Sequence, residues 1–178
     1  MRKRKILAAS IGTCVHVAGA INFLKLAAEQ GYETIFLGPA VSVGKLTEAV
    51  AEHQPDIVGV SYRLTPQVAN KLLNELKSQL ELHDLLENRQ FVFAGTPPVC
   101  EVARESGLFD IIFTGQEPIE HIIAYLRGQG ISQPSRHYAN TLVERIETKA
   151  PYPLLRHHFG LPSVEVTVSG AREIAQSG

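Results

Sequence analysis

Only two cysteines occur in the sequence. Cys14 and Cys100 stand far apart and in no metal-ligand spacing, which excludes a disulfide framework and a zinc module. Free thiols in a reducing compartment, the cytoplasm, are expected instead. Charge of neither sign dominates: 17 Lys and Arg against 18 Asp and Glu leave a formal net charge of -1. Neither a nucleic-acid partner nor a membrane partner is expected from that balance. The basic start Arg2-Lys3-Arg4-Lys5 is too short for a binding arm, and the apolar run behind it is too short for a secretory signal. No apolar run approaches the roughly 20 residues of a membrane span. Repeats and low-complexity segments are absent as well. What is there is an ordinary globular composition, 44 % hydrophobic and 20 % charged, in a chain of 178 residues. That length suffices for one sizeable α/β domain plus a tail.

Short apolar runs alternate with amphipathic ones, which predicts alternating strands and helices. The predicted strands are Lys5 to Ile11, Glu33 to Leu37, Asp56 to Ser61, Gln90 to Ala94 and Asp110 to Phe113. The predicted helices are Ala18 to Gln30, Val43 to Glu52, Thr65 to about Leu82, Val99 to Ser106 and Pro118 to Arg127. On the first helix Ile21, Leu24, Leu26 and Ala28 are expected to supply the apolar face. Gly38-Pro39 is read as the stop of the second strand. Strands that alternate with helices imply a parallel sheet covered on both faces. Right-handed crossovers then favour a doubly wound, flavodoxin-like (Rossmann-like) sheet in the order 2-1-3-4-5. This domain is expected over residues 1–130. Residues 131–178 read as a linker and a helix, Ser163 to Gln176, that either leads to a further domain or docks on a partner.

Open α/β sheets place ligands at the carboxyl ends of their strands. In the expected order, three exit loops share one rim: Thr13 to Gly19, Ser61 to Leu64, and Gly95-Thr96. The first offers a strong donor, the imidazole of His16, with Gly19 close behind. The segment Cys14-x-His16-x-x-Gly19 resembles the Asp-x-His-x-x-Gly signature of cobalamin-binding domains. Ser61 fits the serine of that family's Ser-x-Leu motif, Ala94-Gly95 its Gly-Gly pair, and Phe113-Thr114-Gly115 the segment beside the nucleotide. The resemblance spans roughly residues 5 to 127 and is closest to glutamate mutase small subunits and the B12 domains of methylmalonyl-CoA mutases.

The resemblance implies that cobalamin binds base-off, with His16 as lower axial ligand of cobalt. The displaced nucleotide tail would enter a slot between sheet and helices, lined by small residues such as Gly12, Ala18, Gly19, Gly59 and Ala94. The Ser61 hydroxyl would bond the tail's buried base. The implied cofactor set is Thr13, Cys14, Val15, His16, Val17, Gly19, Ser61, Tyr62, Arg63, Leu64, Ala94, Gly95, Thr96, Phe113, Thr114 and Gly115. Three positions depart from the family pattern: Cys14 for Asp, Arg63 for Leu, and Ala94 for Gly. A thiol is a poorer acceptor than a carboxylate, so His16 is expected to be a weaker, less oriented ligand.

The function so implied is a module of an adenosylcobalamin-dependent isomerase (mutase), not catalytic alone. Methyl carriers usually have a capping bundle ahead of this domain, and here the first strand starts almost at Met1. A catalytic barrel would follow beyond Gly178 in cis or act in trans, and a homo-oligomer is possible. The alternatives are a corrinoid methyl carrier and a flavodoxin-like regulatory domain that has lost the site. Away from the rim, His53 and His121 are expected to be solvated on helices, Cys100 to be core, and Arg156-His157-His158 to belong to a docking segment.

Overall fold

A computed structural model describes residues 3–129. The linker and helix expected beyond them, with Arg156, His157 and His158, lie outside the described residues. The chain runs β1 (Lys5–Ile11), α1 (Ala18–Glu29), β2 (Glu33–Val41), α2 (Val43–His53), β3 (Ile57–Tyr62), α3 (Pro66–Leu82), β4 (Gln90–Gly95), α4 (Pro97–Ser106), β5 (Ile111–Phe113) and α5 (Ile119–Leu126). All strand pairs are parallel and the order is β2-β1-β3-β4-β5, the flavodoxin-like arrangement expected.

Strand side chains alternate between the two faces. One face turns Leu7, Ala9, Ile11, Val58, Val60, Tyr62, Phe91 and Phe93 towards α2, α3 and α4, where Leu46, Val50, Leu73, Leu76, Leu80 and Val99 meet them. The other turns Ile6, Ala8, Ile57, Val92 and Phe113 towards Phe23, Leu24 and Ala27 of α1 and Tyr125 and Leu126 of α5. The lower end of α5 is fastened by polar bonds. The Tyr32 hydroxyl donates to the Leu126 carbonyl at 2.7 Å, and the Tyr125 hydroxyl donates to Gln90 Oε1 at 3.0 Å.

Three local features depart from the sequence expectation. β2 continues through Gly38-Pro39 to Val41, with register shifts between Ala8 and Ala9 and between Ala9 and Ile11. β2 is an edge strand, where a proline's missing N–H leaves no ladder bond unmade. α4 starts at Pro97, because proline suits a first helical turn. The buried stripe of α1 is Ala20, Phe23, Leu24 and Ala27; Ala28 is exposed.

Candidate functional site

The carboxyl ends of β1, β3, β4 and β5 open into loops on one rim. After β1, Gly12 turns the chain at φ +65°, where a Cβ would lie 2.6 Å from the Leu72 side chain. Backbone bonds then pin the loop. The Gly12 N–H donates to the Val41 carbonyl at 2.9 Å, the Cys14 N–H to the Ile11 carbonyl at 3.2 Å, and the Ala40 N–H to the Cys14 carbonyl at 3.0 Å. The Cys14 side chain is fully buried in the core shared with α2, α3 and α4. His16 stays exposed. Its Nδ1 lies 3.6 Å from Cys14 Sγ, the one hydrogen bond of the ring among the described residues. The thiol is thus the side chain in contact with the ring.

Below this loop, the α1/α5 face of the sheet is built from small residues. Ala8 pairs with Gly59, and Ser10 with Ser61, which pairs in turn with Ala94. A Cβ on Gly59 would approach the Ala8 Cβ to 3.2 Å, so Gly59 leaves that surface flat. The buried Ser10 hydroxyl reaches the Ser61 carbonyl at 3.4 Å and the His16 carbonyl at 3.5 Å, tying the loop to this surface. Ser61 is only 5 % exposed, and the described hydrogen bonds engage its carbonyl rather than its hydroxyl. A ligand atom bonded to that hydroxyl would contribute about 0.5–1.5 kcal/mol. Above it on α1, a Cβ at Gly19 would meet nothing within 4 Å. Phe113 forms one side of the surface, packed 6.3 Å from Phe23 and 6.1 Å from Tyr125, centroid to centroid.

The rest of the rim is apolar at its tips and polar at its base. Val15, Leu64, Val68 and Ile119 are exposed large hydrophobic side chains in these loops and in the helix turns that follow them. Arg63 and Thr13 are exposed, and Val17 and Thr96 are half-buried. One guanidinium nitrogen of Arg63 lies 3.8 Å from where a Cβ of Gly115 would stand. The loop after β5 is organised by Glu117. Its carboxylate accepts the Thr114 N–H and hydroxyl, both at 2.8 Å, and the Gly115 N–H at 2.9 Å. Burial alone would raise this carboxyl's pKa, but the bonds from Thr114 and Gly115 outweigh it and hold the group below its usual value.

Not every expected residue contributes a side chain here. Tyr62 is 1 % exposed and lies in the core of the opposite face. A Cβ at Gly95 would meet the Tyr62 carbonyl oxygen at 2.7 Å and the Phe93 ring at 2.8 Å, so this glycine permits close packing on that opposite side. Ser10 and Glu117 were missed. The signal for Ser10 was its polarity at an inward position of an apolar strand; Glu117 had none, since its partners are set by the loop's fold. His121 departs from the solvated reading: it is half-buried, and its Nδ1 is shut off without a partner. Cys100 is core as expected, and burial pushes its thiol up to about 11, which leaves it inert at neutral pH. Among the described residues no group of three His, Cys, Asp or Glu could hold a metal ion, so a metal at His16 would bring most of its own ligands. No described helix is long and apolar enough to cross a membrane.

Comparison with known proteins bears on the domain as a whole. Residues 4–123 match the model of the B12 binding domain family. Among solved structures, the chain is similar to a cobalamin-binding protein from Desulfitobacterium hafniense DCB-2, with 25 % identity and a TM-score of 0.61 over 72 % of this chain and 60 % of that one. It shares its fold with the methanol:cobalamin methyltransferase complex MtaBC of Methanosarcina barkeri (17 %, TM-score 0.56, covering 70 % and 47 %). The same holds for the monomethylamine corrinoid protein of that organism (17 %, TM-score 0.54, covering 70 % and 58 %). The chain thus spans about half to three fifths of these proteins. No curated protein matches it. With two thirds of its length under one family model, on a sheet of the same order, this chain belongs to the B12 binding domain family.

Proposed function

We propose that the domain holds cobalamin base-off, with His16 Nε2 as the lower axial ligand and the nucleotide tail in the small-residue trough between the sheet and helices α1 and α5. The observation that carries this reading is the buried Ser10 hydroxyl, which ties the His16 loop to Ser61 on the small-residue side of the sheet, where no described hydrogen bond engages the Ser61 hydroxyl. Ser61 would bond the tail's base. Gly19, Gly59 and Ala94 would leave it room, with Phe113 as a wall. Thr13, Val15, Val17 and Leu64 would line the corrin edge, and Arg63, Thr96, Thr114 and Gly115 would offer polar groups around it. When bound, cobalamin supplies chemistry at a cobalt–carbon bond, and the protein supplies position.

The upper face would be used by a catalytic partner, a barrel domain in cis or in trans. For the reaction served there, the similar methanol:cobalamin methyltransferase complex and monomethylamine corrinoid protein support a methyl carrier. The isomerase with adenosylcobalamin, implied by the sequence resemblance, is the alternative. Identifying the upper ligand of the cofactor that copurifies with the protein separates the two.

The ligand assignment is tested by electron paramagnetic resonance of the full chain loaded with hydroxocobalamin and reduced to the cobalt(II) form. Histidine bound to cobalt gives a nitrogen triplet that becomes a doublet when the protein's histidines carry nitrogen-15. His16→Ala should abolish that sensitivity to the label. A wild-type signal that ignores the label overturns the assignment.

A further inference from the structure

We propose that Cys14 is the positioning residue of His16: its sulfur accepts a hydrogen bond from Nδ1–H, which keeps the proton on Nδ1 and leaves the lone pair of Nε2 free for a metal. The inference rests on the reading of His16 as the cobalt ligand and extends it to a residue type that does not usually do this work.

A neutral imidazole has one N–H and one lone pair. Ligation through Nε2 therefore requires the proton on Nδ1. A metal-bound histidine normally donates that N–H to a carboxylate, a carbonyl or a water. Here the partner on the protein is sulfur, at 3.6 Å from Nδ1, and no other side chain or carbonyl among the described residues bonds the ring. The direction of this contact decides what the site can do. If the thiol donated to Nδ1, the proton would sit on Nε2 and block the metal. With Nδ1–H donating to Sγ, Nε2 is open.

The sulfur is also fixed before any ligand arrives. Cys14 is 0 % exposed, its N–H is bonded to Ile11 and its carbonyl to Ala40, and its side chain belongs to the core. A preset acceptor limits ring rotation and reduces the ordering cost of ligation. Sulfur is a weaker acceptor than a carboxylate, so it holds the ring while polarising it less, and the axial bond is correspondingly softer.

Packing and positioning make opposite predictions for two substitutions. Cys14→Ser keeps an acceptor but places a hydroxyl in an apolar pocket; Cys14→Ala keeps the pocket apolar but removes the acceptor. The experiment measures three quantities on the full chain: the melting temperature without cofactor, the Kd for hydroxocobalamin, and the label-sensitive fraction of the cobalt(II) signal. Loss of a partner behind a metal ligand typically costs about 10–100-fold in affinity. Cys14→Ala should weaken hydroxocobalamin binding by about that factor and lower the label-sensitive fraction, while Cys14→Ser recovers most of both despite melting at or below Cys14→Ala. If Cys14→Ala matches wild type in Kd and in spectrum, or if Cys14→Ser binds no better than Cys14→Ala, Cys14 only fills space and the proposal is overturned. A wild-type signal indifferent to the histidine label instead removes the His16 reading, and this inference with it.

Discussion

The two faces of the sheet are built from the same strands but divide side-chain volume unequally. Towards α2, α3 and α4, β3 and β4 present Val58, Val60, Tyr62, Phe91 and Phe93, all at most 3 % exposed. Towards α1 and α5, bulk comes from Ile6, Ile57, Val92, Ile111 and Phe113, while β1, β3 and β4 also present Ala8, Ser10, Gly59, Ser61 and Ala94. One face is filled to its rim. The other is packed at its base, where Tyr32 and Tyr125 fasten α5, and is kept low near the loop that carries His16. The difference gives the first face most of the buried bulk, and the second is the face on which the proposed function seats the ligand.

Substitutions on each face should separate these roles. The largest effect belongs to the packed face. Leu46, fully buried on α2, becomes a cavity in Leu46→Ala, and denaturant unfolding should show a loss of about 2–5 kcal/mol. Cobalamin affinity of the folded fraction should stay within a factor of about two, well below the tenfold change that 1.4 kcal/mol brings. A large affinity loss there would show that the faces are not independent. On the opposite face, Ala94→Leu adds bulk to the trough. Overpacking of about 1–3 kcal/mol corresponds to about 5- to 150-fold weaker cobalamin binding by spectroscopic titration. Unchanged affinity would place the tail elsewhere. The smallest change is Ser61→Ala. Since no described hydrogen bond engages the hydroxyl, the melting temperature without cofactor should hold or rise. Cobalamin binding should weaken by about 1 kcal/mol, roughly fivefold. A marked drop in stability without cofactor would mean that the hydroxyl serves the fold.

Much of this contrast is legible in the chain itself. The run Ile57-Val58-Gly59-Val60-Ser61-Tyr62 already alternates large and small once it is known to be a strand, and the same alternation puts Ser10 inward. In the sequence Ser61, Tyr62, Ala94 and Gly95 read together as rim residues. They are not sorted by face there, because adjacency along a strand hides the fact that neighbours point opposite ways. The edge position of β2 was equally hidden at Gly38-Pro39: whether a proline ends a strand depends on which side of it carries a partner. The rim's apolar tips could not be read either, since Val15, Leu64, Val68 and Ile119 look like any other hydrophobic residues until their exposure is known.

By itself the sequence determined the alternation of strands and helices, the order of the sheet, and the histidine motif that points to the family. Those follow from local periodicity and from residue type at fixed spacing, which the chain carries wherever it goes. The tertiary structure alone decided that Cys14 turns its sulfur to His16, that Ser61 faces α1 and α5 while Tyr62 seals the far side, and that Glu117 shapes the last rim loop. These depend on distances between atoms that only close when the sheet, the backbone clamps of the first loop and the two helix layers are assembled together.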